Sequence, residues 1–201
     1  EVAPTVVYDN TGRGADWREE YDFLGDAMNV AEEVARLIDD GDRRLGELDA
    51  AIGDVLDGQT VSVARARPGD GLQLRLAGSS IGIILDEVGI ERPPSQQAFT
   101  NDDGFFTLEL SQELWPDQVD ADYVFLYSNQ PPGAANDALL ASIQEKPLWL
   151  QLESVQNDRA IVVDAHWHAA GPIAEHKIID DLYRIFVGTE PTSPNPISAP
   201  G

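Results

Sequence analysis

The stretch that decides the fold is Val30–Leu56, VAEEVARLIDDGDRRLGELDAAIGDVL. Its apolar residues return every three or four positions, at Val30, Val34, Leu37, Leu45, Leu48, Ile52 and Val55. This spacing is typical of one amphipathic helix, about 40 Å long at the usual rise per residue. Three glycines interrupt the stretch, and each costs about 1 kcal/mol of helix stability relative to alanine. We therefore expect tertiary packing of the apolar face, not intrinsic propensity, to hold the helix together.

The composition excludes several classes of function. The chain has 201 residues and a formal net charge of −23, from 36 acidic and 13 basic side chains. A surface this acidic disfavours nucleic acid and anionic membrane as partners, because both are negatively charged. The absence of cysteine excludes disulfides, thiolate catalysis and cysteine-ligated metals. The length allows one large domain, or one domain and part of a second.

Beyond the long helix, apolar runs alternate with helical segments. Strands are predicted at 60–66, 72–76, 123–127 and 160–163, and helices at 80–88, 111–114, 134–143 and 172–186. Ser79 is expected to cap the first of these helices, and Pro116 to close the second. The closing helix is expected to bury Ile173, His176, Ile179 and Leu182. This order indicates an α/β fold, a three-layer α/β/α lobe with a mainly parallel sheet.

Two shorter segments flank this lobe. Before the long helix, a strand is predicted at 5–8 and a helix at 17–27, N-capped by Asp16. A single strand is not stable alone in water, so the strand needs a sheet that this stretch does not supply. From Gly188 onward the sequence is rich in Thr, Pro, Ser and Asn, which predicts a disordered tail.

Polar residues follow three of the predicted strands, where parallel α/β sheets bind ligands. The three loops are 65–67, 127–129 and 164–168. Arg65, Arg67 and Arg75 form a cationic cluster in an otherwise acidic chain, which favours either an anionic ligand or surface pairing with nearby acids. Trp167 either stacks on a flat ligand or is buried against the closing helix.

Other chemistry is less strongly indicated. Nucleotide-binding glycine motifs, a nucleophile elbow and HExxH are absent. The turn Gly78-Ser79-Ser80, which precedes a helix, is expected either to bind an anion through its amide groups or to serve only as a helix cap. Asp164, His166 and His168 carry metal-ligand side chains, so a metal-dependent α/β enzyme is the alternative from another functional class.

Four segments resemble the periplasmic-type siderophore-binding proteins of ABC importers, the group that includes ferric-hydroxamate and vitamin B12 binders. They are APTVVYDNTGRGADWREEYDFLGDAMN, TVSVARARPGDGLQLRLAGSSIGIILDEVGI, LSQELWPDQVDADYVFLYSN and KPLWLQLESVQNDRAIVVDAHWHAAGPIAEHKIIDDL. In that family a long stiff helix joins two α/β lobes, and the ligand lies between them. The resemblance implies a first-lobe remnant at 1–29, the inter-lobe helix at 30–57, the second lobe at 58–187 and the tail at 188–201.

The resemblance also implies a site. Trp167 matches a tryptophan that lines the hydroxamate site of some members, whereas Ser80 and Ser128 replace arginines of catecholate binders. A hydroxamate siderophore is therefore favoured, and haem or a cobalamin is the alternative ligand. Glu113 matches a glutamate that docks onto the permease. The ligand-binding candidates are Arg65, Arg67, Ser79, Ser80, Tyr127, Ser128, Asn129, Trp167 and His168.

A member of this family is expected to be a binding protein without catalytic residues or a cofactor of its own, because the siderophore holds the iron. Its expected partners are a ferric siderophore and an ABC permease, and its expected location is the outer face of the membrane or the periplasm. On this interpretation the first half of the mature protein lies outside this sequence, together with a secretion signal and, in Gram-positive relatives, a lipid-bearing cysteine.

Overall fold

The stretch 30–56 forms one continuous helix in a computed structural model of the chain, which describes Thr5, Val7 and residues 16–69, 71–97 and 106–197. The helix is Ala31–Leu56, 26 residues long. Its buried face includes most of the predicted apolar positions, but Val55 is 43% exposed and Leu56 is buried in its place. The buried face also includes Gly41 and Arg44, and Arg44 forms polar contacts with another helix.

The chain alternates helices and strands in the predicted order. The helices are α1 Trp17–Met28, α2 Ala31–Leu56, α3 Ser80–Glu87, α4 Pro94–Gln97, α5 Trp115–Gln118, α6 Ala134–Gln144, α7 Glu153–Gln156 and α8 Pro172–Leu182. The strands are β1 Val61–Arg67, β2 Gly71–Arg75, β3 Thr107–Leu110, β4 Tyr123–Tyr127 and β5 Ala160–Val162. Short 3-10 turns at Gln112–Leu114 and Ala165–His168 follow β3 and β5, and a π-helical turn, Tyr183–Val187, extends α8.

The five strands form one sheet in the order β3-β2-β1-β4-β5. β1 pairs in parallel with β4, and β4 with β5, as predicted. The prediction of a mainly parallel sheet is wrong for the other half, because β1–β2 and β2–β3 are antiparallel. A tight turn at Pro68 and Gly69, the latter with φ +87°, joins β1 to β2 as a hairpin. The result is a mixed sheet.

Helices cover both faces of this sheet. On one face, α2, α3 and α8 bury a cluster that includes Leu48, Ile81 and Ile179 against β1 and β4. On the other face, α5 and α6 bury Trp115 and Ile143 against the opposite side chains of the same strands. The predicted three-layer α/β/α arrangement is therefore confirmed.

Several local predictions need correction. β3 and α4 were not predicted from the sequence, and each is only four residues long. Pro116 does not close a helix but occupies the first turn of α5, where proline needs no hydrogen-bond donor. Ile173 is 58% exposed, and Ile178 is buried in its place.

A buried ion pair fixes α2 to α8. Arg44 of α2 is 1% exposed and contacts Nδ1 of His176 at 2.9 Å and the carboxylate of Asp180. The His176 side chain is fully buried. Because an unpaired charge in this position would be strongly destabilising, the pair fixes the rotation of α2 about its axis.

A second buried group ties α1 to the same two helices. Glu175 of α8 accepts hydrogen bonds from Trp17 Nε1 at 2.9 Å and from Arg18 at 3.1 Å. Arg18 also donates to Asp42 of α2 at 2.8 Å. Gly41 makes room for this cluster, since a Cβ there would lie 2.5 Å from Glu175 Oε1.

Some predictions fall on other parts of the chain. The strand predicted at 5–8 lies largely outside the described residues. In the described part of the tail, Ser193 donates to Glu47 at 2.6 Å and Asn195 to Asp180 at 2.9 Å. No helix among the described residues is both long and apolar enough to cross a membrane. The lobe boundaries implied by the resemblance stay a prediction.

The glycines of α2 give a matched test of this packing. Gly41→Ala is expected to lower the free energy of unfolding by about 1 kcal/mol or more, because its methyl group meets Glu175. Gly46→Ala and Gly53→Ala meet nothing within 4 Å and should each raise it by about 0.5–1 kcal/mol. Urea unfolding measures all three, and a uniform effect would contradict the contact between Gly41 and Glu175.

The α2–α8 contact also predicts a pH dependence. Burial, and then the charge of Arg44, lower the pKa of His176 from 6.5 to about 4. The unfolded chain takes up this proton first, so the free energy of unfolding should fall by up to about 3 kcal/mol between pH ~6.5 and ~4. His176→Gln accepts from Arg44 without titrating, and urea unfolding across this range should show a flatter profile. An unchanged profile would show that His176 does not titrate as described.

Candidate ligand-binding face

A row of polar side chains crosses four strands of the sheet. Glu109 of β3 pairs with Gln73 of β2, Gln73 with Arg65 of β1, and Arg65 with Tyr127 of β4. Directly paired residues point to the same face of a sheet. We call these four residues the polar row. They lie toward the carboxyl ends of β1 and β4, the edge where the sequence predicts a ligand.

Two further side chains complete the site. Arg75 lies two residues beyond Gln73 on β2 and therefore points to the same face. His168, in the 3-10 turn after β5, places Nδ1 3.4 Å from the hydroxyl oxygen of Tyr127. The polar row, Arg75 and His168 together are called the polar face below. Their apolar neighbours, including Leu72 and Leu74, pack on the opposite side of the sheet.

The arginines of this region differ in their charge balance. Arg67 donates to Glu109 at 2.6 Å, and Gln73 donates to the same carboxylate at 2.5 Å. Arg65 and Arg75 form no ion pair with any described carboxylate, and Nε of each is buried without a hydrogen-bond partner among the described residues. Arg75 is only 9% exposed, whereas Arg65 is half-buried. The polar face therefore carries uncompensated positive charge.

The electrostatics of the neighbouring groups agree with this description. Burial, followed by the charges of Arg75 and Arg65, lowers the pKa of His168. Burial also lowers the pKa of Arg65, and the nearby Arg67 and Arg75 lower it further, whereas Tyr127 and Glu109 act in the opposite direction. His168 is therefore neutral near pH 7, and the Tyr127 hydroxyl, whose pKa burial raises, keeps its proton. The face offers guanidinium and imidazole groups to a ligand, while the buried Tyr127 hydroxyl contacts His168.

The predicted site residues divide into two groups. Arg65, Tyr127 and His168 meet on the polar face, and Arg67 lies beside them in its pair with Glu109. Asn129 is exposed just beyond β4. The remaining candidates have other contacts.

Two of the three predicted serines use their hydroxyl groups in hydrogen bonds within the protein, and the third lines a separate cavity. Ser79 is fully buried, and its hydroxyl caps α3 by accepting from Gly82 N at 3.1 Å, which is the helix-cap interpretation. Ser128 donates to Asn136 at 2.6 Å and so braces the loop after β4. Ser80 lines a small cavity together with Trp17 and Glu175, on the side of α3 that faces α1 and α8.

Trp167 is buried in this structure. It is 1% exposed, its ring lies 4.6 Å from that of Phe125, and its Nε1 donates to Asp181 of α8 at 2.9 Å. Of the two sequence-based interpretations, burial against the closing helix is the one observed. The indole does not face the edge of the sheet, and a stacking role with a ligand stays a prediction.

The three side chains proposed for a metal-dependent enzyme do not converge on one point in the structure. His166 Nε2 lies 2.7 Å from Asp181 Oδ2, whereas His168 faces Tyr127. Asp164 is exposed. No group of three metal-ligating side chains occurs among the described residues, so these three do not form the proposed centre.

Glu113 lies at the same edge of the sheet as the polar face. β3 runs antiparallel to β2, so its last residue, Leu110, pairs with Leu72 next to the end of β1. Glu113 follows in the 3-10 turn and is exposed. A partner that approaches this edge would meet it.

Three members of the polar face were not among the predicted ligand-binding residues. Gln73 and Glu109 are the polar residues in the alternating strands GLQLR and TLEL, and this period-two pattern could have found them. Arg75 was assigned to the cationic cluster but not to the ligand site. Its place beside Arg65 requires the antiparallel hairpin, which the sequence did not predict.

The opposite edge of the sheet holds a polar cavity of about 290 Å³, lined by Thr60, Asp120, Ala121, Asp122, Glu153, Ser154, Asn157 and Arg159. Its two aspartates have structural roles. Asp120 accepts from Glu153 N at 2.7 Å and so caps α7, and Asp122 accepts from Thr60 N at 2.8 Å. The cavity lies away from the polar face.

Comparison with known proteins gives a consistent picture. No family model matches the chain. A probable siderophore-binding lipoprotein of Bacillus subtilis, YfiY, is 31% identical over 194 residues, which are 94% of this chain and 58% of that protein. The chain thus spans little more than half the length of this relative.

Solved structures show the same relationship. Staphylococcus aureus SirA has a TM-score of 0.72 at 25% identity, covering 89% of this chain and 66% of SirA. S. aureus FhuD2 with bound ferrioxamine B has a TM-score of 0.72 at 19% identity, covering 93% and 70%. A ferrichrome transporter component of B. subtilis, described as a member of the FhuD fold family, has a TM-score of 0.72 at 17% identity, covering 89% and 65%. The chain is therefore similar to siderophore-binding proteins over part of their length, and it shares the fold of the part of these structures that it covers.

Proposed function

We propose that this chain is the ligand-binding lobe of a solute-binding protein that captures a ferric siderophore for an ABC importer. The observation that carries the proposal is the similarity to a siderophore-binding lipoprotein along nearly the whole chain. The relatives' named activity is binding, which favours a binding protein over an enzyme.

The polar face supports this role. The oxygen atoms of a ferric siderophore are hydrogen-bond acceptors, and this face has guanidinium donors on Arg65 and Arg75 without a partner among the described residues. Arg65 and His168 are only partly buried, so a ligand can reach them from the edge of the sheet. The iron would be held by the siderophore, while the protein contacts the outer atoms of the complex.

The long helix α2 supports a two-lobed arrangement. We propose that α2 joins this lobe to a first lobe whose last elements include α1, and that the siderophore lies between the lobes. Because Arg44 locks α2 onto α8, the helix and this lobe should move as one body, with small hinge motion. By analogy with its lipoprotein relative, the protein would be anchored at the outer face of the membrane.

Binding is tested by tryptophan fluorescence of the full-length gene product. Ferric siderophores of the hydroxamate, catecholate and carboxylate types, together with haem and cobalamin, form the panel. At least one ferric siderophore should quench the tryptophan fluorescence, with a Kd of about 1 μM or below, which is a binding free energy of about −8 kcal/mol. His168→Ala should weaken the binding of that siderophore about fivefold, because one hydrogen bond to the ligand is lost.

His166→Ala is the matched control, because His166 contacts Asp181 and not the polar face. It should bind with unchanged affinity. Quenching by haem or cobalamin alone would redirect the proposal to that ligand, and no binding of any ferric siderophore would refute siderophore capture.

Glu113 tests the proposed contact with the permease. Glu113→Arg should reduce cellular uptake of the radiolabelled ferric siderophore about tenfold while leaving its Kd unchanged, because charge reversal at a docking contact is repulsive. Glu153→Arg makes the same charge change at the opposite edge of the sheet and should have little effect. Equal losses of uptake in the two variants would contradict docking through Glu113.

A further inference from the structure

We propose that the polar face selects anionic ferric siderophores, in which a carboxylate remains to be bound by the protein, over uncharged ferric trihydroxamates. This inference rests on the proposed function and names the ligand class of the same site. It differs from the preference for hydroxamates that the sequence alone suggests.

The arginines of the chain differ in whether an acidic side chain balances their charge. Most arginines of this acidic chain have an acidic partner within 4 Å: Arg18, Arg36, Arg43, Arg44, Arg67 and Arg184. Arg65, Arg75, Arg92 and Arg159 have none among the described residues, although the chain carries 36 acidic side chains. Arg92 donates to the backbone oxygen of Arg75, and Arg159 lies over the Tyr123 ring, so of these four only Arg65 and Arg75 belong to the polar face. A pair of uncompensated cations on one face of so acidic a chain is a site where an anion concentrates.

The guanidinium groups of Arg75 and Arg65 have buried donors that no described acceptor satisfies. Arg75 is more than nine-tenths buried, and its Nε atom, like that of Arg65, lacks a hydrogen-bond acceptor in the described part of the chain. Buried donors without acceptors are costly, and the cost is relieved when a ligand supplies the acceptor. Arg65 pairs directly with Gln73, and Arg75 is two residues beyond Gln73 on the same face of β2, so the two arginines are diagonal neighbours across the strands. One ligand can therefore meet both.

Guanidinium donors bind a carboxylate more strongly than they bind an uncharged acceptor. A guanidinium group matches a carboxylate with two parallel hydrogen bonds, and charge-assisted bonds of this kind are about twice as strong as neutral ones. An uncharged trihydroxamate complex offers acceptors but no net charge. The gain from Arg65 and Arg75 is therefore specific to an anion.

Glu109 places a negative charge on the polar face. Its carboxylate already balances Arg67 and binds Gln73, and it lies in the same polar row as Arg65. Its negative charge opposes an anionic ligand. Removing that charge should strengthen anion binding, an effect opposite in sign to the removal of Arg65 or Arg75.

The test compares three iron complexes on the full-length gene product: ferric aerobactin and ferric citrate, which are anionic, and ferrichrome, which is an uncharged trihydroxamate. We expect at least one anionic complex to bind about tenfold or more tightly than ferrichrome. That advantage should shrink as the salt concentration rises from about 0.02 to about 0.3 M, because salt screens charge.

Variants then assign the effect to residues. Arg65→Gln and Arg75→Gln should each weaken the anionic complex about tenfold and ferrichrome less than about threefold. Arg75→Lys keeps the charge but cannot form two parallel hydrogen bonds, so its loss should lie between those of the native protein and Arg75→Gln. Glu109→Gln should tighten the anionic complex about threefold. Arg159→Gln removes the same charge at the opposite edge, where Arg159 lies over the Tyr123 ring, and is the matched control. Circular dichroism and thermal melting verify folding.

The outcomes separate the two proposals. Preference for ferrichrome, or equal losses for all three complexes in the Arg65 and Arg75 variants, would overturn the selection of anions while leaving siderophore capture intact. An equal loss in Arg159→Gln would show a general charge effect and would also overturn it. Failure of every ferric siderophore to bind would overturn both.

Discussion

The buried contact between α2 and α8 is the constraint on which the rest of this structure depends. Arg44 lies inside the protein with Asp180 and His176 as its partners, and Glu175, one position earlier on α8, receives Trp17 of α1. Charged groups buried in this way are costly to leave unpaired. Three helices are therefore fixed in one relative orientation, and a long helix interrupted by glycines becomes rigid.

The position of the polar face follows from that contact. α8 begins just after the 3-10 turn that carries His168, and Asp181 of α8 holds the neighbouring Trp167 against Phe125. The turn is thus fixed between α8 and β4, with His168 above Tyr127. From the other side, the antiparallel β1–β2 hairpin brings Arg75 to the face that carries Arg65. Packing and strand direction together build the site.

The regular elements could be predicted from sequence because their periods are clear. The long helix, the caps at Asp16 and Ser79, and the strands β1, β2, β4 and β5 lie within one residue or so of expectation. The antiparallel direction of β2 and β3 could not be predicted, since hydrophobic pattern does not encode pairing, and the hairpin was missed. The buried charges of α8 and the burial of Trp167 depend on contacts between distant segments, which local periodicity cannot show.

The location of the bound iron tests the central claim most directly. Ferric iron broadens the NMR signals of nearby nuclei, whereas the diamagnetic gallium complex of the same siderophore does not. Amide spectra of the full-length gene product with each complex should differ around Arg65, Tyr127 and His168 and agree around Asp120 and Asn157. Broadening centred on the cavity at Asp120 and Asn157, or spread evenly over the lobe, would contradict capture at the polar face.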